Sequence, residues 1–261
     1  MAQTTLLIVS PHLDDAVLSC ADHGLDWQRQ GGAVHVLTLF SDAGAGLSAL
    51  FGAGAQPCTD GHTRMQRRRE EDAEAMRQLG FGFTHLGLVD AAFRGCNGAD
   101  FPDLSRLWAG QLGPGGAELV AATAQRLRSA SGAAAGNNAQ VVAPLGVGGH
   151  VDHLIARQAC EQVFGAAALA YYADMPYARA PWRWRAAQCR QAAVARRSWR
   201  WISPRKQQVL RAYASEMPRL FKSAPKFAEL LLLPASPHLS QHCAFLHDPR
   251  RPPARWPDGA S

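Results

Sequence analysis

Leu6-Leu7-Ile8-Val9-Ser10-Pro11-His12-Leu13-Asp14-Asp15 is the stretch on which the reading of this chain turns. Four aliphatic residues without polar alternation suit a strand buried on both faces, the pattern of a parallel sheet covered by helices. Pro11 opens a turn, and the turn carries a histidine and two adjacent carboxylates. In an open α/β sheet, ligands bind beyond the carboxyl ends of the strands. The polar triplet therefore faces a crevice and not the core.

Outward from this stretch, buried strands alternate with helical segments. Ala16 to Gln30 reads as a helix ending at Gly31-Gly32, Val34 to Phe40 as a strand, and His62 to Leu79 as a helix stopped by Gly80. Strands at Thr84 to Val89, Gln140 to Pro144 and Ala167 to Ala173 bracket helices at Glu118 to Ser131 and Val151 to Phe164. Such alternation predicts an α/β fold: Rossmann-like and doubly wound, a mostly parallel sheet with helices on both faces. Ser131 to Asn138 reads as a small-residue connection, and Ser41 to Gly61 as a long Gly- and Ala-rich loop suited to a lid. After Met175 the pattern changes. Trp and Arg dominate, Pro204 to Phe221 reads as helical, and Pro234 to Ser261 as largely irregular. The predicted division is a catalytic core at 1–175 and a smaller C-terminal extension at 176–261 that packs on it and recognises substrate.

Composition narrows the function classes. With 47% hydrophobic and 18% charged residues the chain has material for a core, yet no apolar run long enough to span a membrane. The start lacks a basic leader and cleavage site, and six scattered cysteines show no Cys-x-x-Cys pair, so a cytoplasmic protein with reduced thiols is expected. The net charge of +6 is local: Trp182 to Lys206 holds eight basic and no acidic residues, and without them the remainder carries −2. That distribution argues against a nucleic-acid binder, the remaining non-enzymatic reading. A dinucleotide-dependent oxidoreductase is disfavoured too, because no Gly-x-Gly-x-x-Gly follows the first strand and Asp14-Asp15 would repel a pyrophosphate.

A second motif, Gly148-Gly149-His150-Val151-Asp152-His153, stands after a strand and opens a helix. His150 and His153 are three residues apart and share a helical face. Imidazole with carboxylate suits zinc or a similar divalent ion, and two histidines with one carboxylate and an open position form a hydrolytic site. By spacing alone, one of the two aspartates ligates while the other faces a water, and one histidine of His150 and His153 ligates while the other addresses the substrate. Asp152 is placed to orient a histidine.

The two motifs together resemble the signatures of the PIG-L (LmbE-like) N-deacetylase family, Ala/Ser-His-Pro-Asp-Asp-Glu and His-Pro-Asp-His. Thr38 to Gly44, Arg68-Arg69-Glu70-Glu71-Asp72 up to Leu79-Gly80, and Leu86-Gly87-Leu88-Val89-Asp90 resemble further family segments, in family order, over about residues 5 to 175. A looser likeness follows at Arg205 to Met217. Leu13 stands where the family has Pro and Ala16 where it has Glu. The resemblance implies that His12, Asp15 and His153 bind Zn2+ and that Asp14 is the general base. It implies that His150, held by Asp152, stabilises the oxyanion, and that Asp42, Arg68 and Asp90 contact a sugar. The implied activity is removal of an N-acetyl or other N-acyl group from an amino sugar, such as an N-acetylglucosamine conjugate in natural-product biosynthesis. An amidase of the same family on a thiol conjugate is the alternative. The implied partner is a small-molecule glycoconjugate, and nothing in the chain argues against a homo-oligomer. The tryptophans at 182, 184, 199 and 201 read as core packing or as a wall for a large aglycone.

Overall fold

The computed structural model describes residues 4–44, 59–94, 107–108, 110–135, 139–179, 195–199, 203–221 and 243–247. The lid loop and the Trp/Arg stretch fall largely at 45–58, 180–194 and 200–202, outside these residues, and Trp199 is described only as part of a strand.

Seven strands form one sheet: β1 (Thr5–Ser10), β2 (Ala33–Asp42), β3 (Gly82–Val89), β4 (Ala139–Pro144), β5 (Leu169–Tyr172), β6 (Ala195–Trp199) and β7 (Cys243–His247). Their order is β3-β2-β1-β4-β5-β7-β6. The first five are parallel, and β7 joins β5 and β6 by antiparallel pairing. Leu6, Leu7, Ile8 and Val9 of β1 are fully buried, as a central strand covered on both faces must be. Each such side chain contributes about 1.5–3 kcal/mol of transfer free energy.

The chain leaves β1 toward β2 and β3 on one side, and toward β4 and β5 on the other. With right-handed crossovers this reversal sends the connecting helices to opposite faces. α1 (Asp15–Arg29) and α2 (Thr59–Leu79) pack on each other and on the short α5 (Pro204–Leu210), whereas α3 (Gly116–Ala135) and α4 (Val151–Phe164) pack together. The topological switch point thus lies between the carboxyl ends of β1 and β4, where a crevice opens. His12 follows β1 and His150 follows β4.

The structure corrects the sequence reading at four places. α3 runs on to Ala135, so most of the expected connection at Ser131 to Asn138 is helix. Ala166–Ala168 is a 3-10 turn, and β5 starts only at Leu169. The expected helix Pro204 to Phe221 is split into α5 and α6 (Met217–Phe221). A helix running through Pro218 would lose a donor and clash with the carbonyl four residues earlier, so Pro218 sits in the first turn of a new helix. Cys243–His247, in the stretch read as irregular, is β7. Its pairing of Tyr171 with Leu246 joins residues far apart in sequence, which no local pattern reports.

The segment at 203–217 is fixed to the core by buried polar contacts. Lys206 donates from Nζ to the Leu18 carbonyl at 2.8 Å, the Tyr213 hydroxyl donates to Asp72 Oδ1 at 2.7 Å, and the Ser215 hydroxyl to Glu71 Oε2 at 2.6 Å. No helix among the described residues is long and apolar enough to cross a membrane, and Cys20 and Cys160 are buried and not in a disulfide.

Candidate active site

Ser10 ends β1 and its hydroxyl organises the turn that follows. It donates to the His12 carbonyl at 2.7 Å and accepts the Ala16 N–H at 3.1 Å. Ser10 thereby does the capping work at the start of α1. Asp14 occupies the N-cap position, but its side chain makes no capping hydrogen bond. A helix cap is the ordinary role of Asp at this place, and here it is vacated. Leu13 is fully buried with Met65 and Phe93 beneath the site, so where the resembled motif has a rigid proline this chain has an apolar anchor.

Three atoms converge at the switch point. Asp15 Oδ2 lies 3.1 Å from Nδ1 of His12 and 3.3 Å from Nε2 of His153. Each imidazole is held from behind by a carboxylate on its other nitrogen. His12 Nε2 lies 3.1 Å from Asp152 Oδ2, and His153 Nδ1 lies 2.6 Å from Asp174 Oδ1. This carboxylate–histidine pairing fixes ring orientation and raises ligand basicity in metal sites. Asp174 also accepts the Val147 N–H at 2.7 Å, and Asp152 accepts the Ala91 N–H at 2.9 Å and an Arg94 hydrogen bond. His153 Nε2 is buried and faces Asp15 Oδ2, with no well-aligned hydrogen bond of its own, a position that a cation between the two would satisfy.

Ligand-atom distances under 4.8 Å also group His12 with His150 and His153, and His12 with Asp90 and Asp152. The site is thus a histidine–aspartate cluster suited to a metal, with more than one way of choosing three donors. The third grouping is the poorest, because both Asp152 oxygens already accept hydrogen bonds.

His150 is arranged differently from the other two histidines. It N-caps α4, and its Nδ1 accepts the Asp152 backbone N–H at 3.2 Å. An accepting Nδ1 places the proton of the neutral ring on Nε2. Burial, and then the neighbouring His12 and His153, hold His150 well below the usual histidine range, so the ring is a neutral donor. The expected support of His150 by the Asp152 side chain is therefore corrected: that carboxylate turns to His12 and Arg94, and only the backbone of Asp152 reaches His150.

The remaining charges show the opposite balance. Burial alone would make His12 and His153 neutral, but carboxylates reverse it. Asp90, Asp15 and Asp152 hold His12 well above its ordinary value, and Asp15 with Asp174 pushes His153 up to about 9. Burial, and next the charge of Asp15, push Asp14 up to about 7, with Arg68 opposing.

Arg68 is buried beside Asp14. Its Nη2 stands 3.8 Å from Asp14 Oδ2, its Nη1 donates to Asp90 Oδ2 at 3.3 Å, and its Nε faces Glu216 Oε1 at 3.7 Å. Of the expected sugar contacts, Arg68 and Asp90 are thus gathered beside Asp14 and the histidine–aspartate cluster. Asp42 lies at the end of β2, where its Oδ1 accepts the N–H groups of Ala43 and Gly44 at 2.6 and 3.1 Å. Only its second oxygen is left for a ligand.

Asp174, Arg94, Glu216, Trp108 and Tyr177 were not singled out by the sequence. Asp174 had a usable signal, a carboxylate just past a buried strand. The others belong to no motif read from the sequence, and only the fold brings them here.

Residues 7–164 match the family described as PIG-L, GlcNAc-PI de-N-acetylase. A 2'-N-acetylparomamine deacetylase of Streptomyces fradiae is 34% identical over 176 residues, 66% of this chain and 57% of that protein. The match thus spans little more than half the length of that relative. A deacetylase of teicoplanin biosynthesis shares the fold with a TM-score of 0.66 at 22% identity, over 93% of this chain and 97% of that one. The A40926 pseudoaglycone deacetylase does so with 0.61 at 23% identity, over 94% and 97%.

Proposed function

The chain belongs to the GlcNAc-PI de-N-acetylase (PIG-L) family, and from that premise we propose that it is a zinc-dependent hydrolase that removes an N-acetyl or other N-acyl group from an amino sugar in natural-product biosynthesis. The observation that carries this reading is the approach of Asp15 Oδ2 to His12 Nδ1 and His153 Nε2, beside an Asp14 that is not used as a cap. The relative's activity, deacetylation of 2'-N-acetylparomamine, supports the choice of substrate class. Scattered cysteines, two of them buried and not in a disulfide, fit a cytoplasmic enzyme.

His12, Asp15 and His153 would hold the zinc. In this set the two histidines are each backed by an aspartate, whereas His150 has a backbone N–H on Nδ1 and keeps Nε2 for the substrate. When bound, zinc supplies Lewis acidity that polarises the amide carbonyl and acidifies the attacking water. Asp14, with a pKa of about 7, takes the proton of that water as the oxygen bonds to the acyl carbon. The neutral His150 donates Nε2–H to the developing oxyanion, a contribution of about 3 kcal/mol at such sites. The C–N bond then breaks, and Asp14 returns the proton to the leaving nitrogen. Acetate and a free amine result, and the base is regenerated. Arg68 and Asp90 offer a donor and an acceptor to sugar hydroxyls on the Asp14 side. Asp42 contributes through Oδ2 only.

The test of the substrate class is acid release across N-acetylated and N-fatty-acylated glucosamine glycosides, 2'-N-acetylparomamine, and a thiol-conjugated glucosamine amide. Release from the amino-sugar amides is expected. Turnover of the thiol conjugate alone would move the assignment to the amidase reading.

Two further outcomes follow from the electrostatics. His12 and His153 are both protonated near pH 7 in the protein alone, and zinc binds only neutral imidazole. Zinc uptake should therefore release about two protons, and affinity should climb as pH rises toward 9. Calorimetry in buffers of different ionisation enthalpy measures the release; uptake without proton release would contradict the ligand set. Asp174→Asn should weaken zinc binding by about 10- to 100-fold, read by chelator competition, because it removes the charge behind His153.

A further inference from the structure

Among the described residues, Trp108 is the exposed large apolar side chain, with 40% of its surface open. A single exposed apolar residue is ordinary, but the surroundings of this one are not. Its ring meets His150 edge-on, with centroids 5.2 Å apart and planes at 80°. Its indole N–H bonds the Tyr177 hydroxyl, and the Tyr177 ring stands 5.7 Å from that of His153 at the same steep angle.

The backbone beside Trp108 is seated on the loop that presents His150. Gly110 donates to the Gly149 carbonyl at 3.1 Å. Gly149 has φ +73°, and a Cβ there would stand 2.8 Å from Gly110 Cα. Only glycine accepts both the left-handed backbone and this approach. The indole is thus held at its N–H, at its edge and through its backbone, with part of its surface left open next to the oxyanion donor. Preorganisation of this kind lowers the entropic cost of binding.

We propose that Trp108 is the ring platform of the site, and that the pyranose carrying the scissile amide lies against it. His150 is the ring between Trp108 and the metal cluster, at 5.2 Å from the first and 4.9 Å from His12. The sugar directly attached to the amide reaches that far, and a more distant ring is not required. The C–H face of a pyranose is apolar and flat enough to cover an indole, while its hydroxyl edge is left to Arg68 and Asp90. The substrates would then be closed-ring amino sugars, and open-chain amides of the same composition would be discriminated against. This inference rests on the deacetylase reading above.

The test compares methyl N-acetylglucosaminide with N-acetylglucosaminitol, which carries the acetamide on an open polyol chain. Rates of acetate release give kcat/KM for both substrates with the zinc-loaded full-length protein and its W108A and W108F variants. The wild type should favour the closed ring, W108A should lower that preference roughly tenfold, and W108F should retain most of it. A Trp108 that merely props His150 would slow both substrates together, so an unchanged preference in W108A overturns the proposal. If the wild type releases acid neither from these substrates nor from their N-fatty-acylated counterparts, the deacylase reading fails on its own. Calorimetric binding of methyl N-acetylglucosaminide then decides the platform. Weaker binding to W108A than to the wild type supports it, and equal or undetectable binding overturns it.

Discussion

His153→Ala is expected to leave the purified protein without zinc and to lower turnover by about 10³-fold or more, since the Lewis acid is lost with its ligand. His150→Ala is expected to keep the zinc and to lower turnover by about 10²- to 10³-fold, the cost of one oxyanion donor. The contrast separates the two ligand sets that contain His153, one completed by Asp15 and the other by His150. His153 turns its buried Nε2 to Asp15 Oδ2 at 3.3 Å and is fixed by Asp174. His150 is instead a neutral N-cap residue whose Nδ1 is occupied by a backbone N–H. Zinc content measured by elemental mass spectrometry beside steady-state rates checks both. Zinc lost in both variants would assign the metal to His12, His150 and His153, and zinc retained in His153→Ala would contradict both sets.

Asp14→Asn should behave differently from either histidine variant. The amide is nearly isosteric and no cap bond is lost, so fold and zinc content should be those of the wild type. An amide cannot accept the proton of water, and turnover should fall by about 10²- to 10⁴-fold. Loss of zinc in this variant would show that Asp14 and Asp15 have exchanged roles. Wild-type turnover would remove Asp14 from the proton transfer altogether.

Much of this site was legible because its parts obey local rules. The unalternating run Leu6 to Val9 and the punctuation at Pro11 placed His12 at a strand end, and the same logic placed His150 and His153 at the start of α4, whose observed limits are Val151–Phe164. What local rules leave open is the direction of side chains and the identity of neighbours. Asp152 is adjacent to His153 in sequence, yet its carboxylate crosses the crevice to His12 and Arg94, because the first turn of α4 points it there. The contact of Asp174 with His153 exists only because β5 lies beside β4. Glu216 reaches Arg64 and Arg68 from beyond α5, a contact that depends on how the segment at 203–217 docks. The tryptophans at 182, 184 and 201, read as core packing or as a wall for an aglycone, lie outside the described residues; Trp108, which no local pattern marks, stands against a histidine of the site.

The central claim is that zinc held at His12, Asp15 and His153 makes this chain an amino-sugar deacetylase. Its most direct test is a zinc titration of chelator-stripped protein, with acetate release from 2'-N-acetylparomamine and methyl N-acetylglucosaminide followed by NMR. The account predicts no release by the stripped protein, and release that rises with added zinc and levels off at one zinc per chain. Full acetate release by the stripped protein, or none from either substrate at one bound zinc, would contradict it.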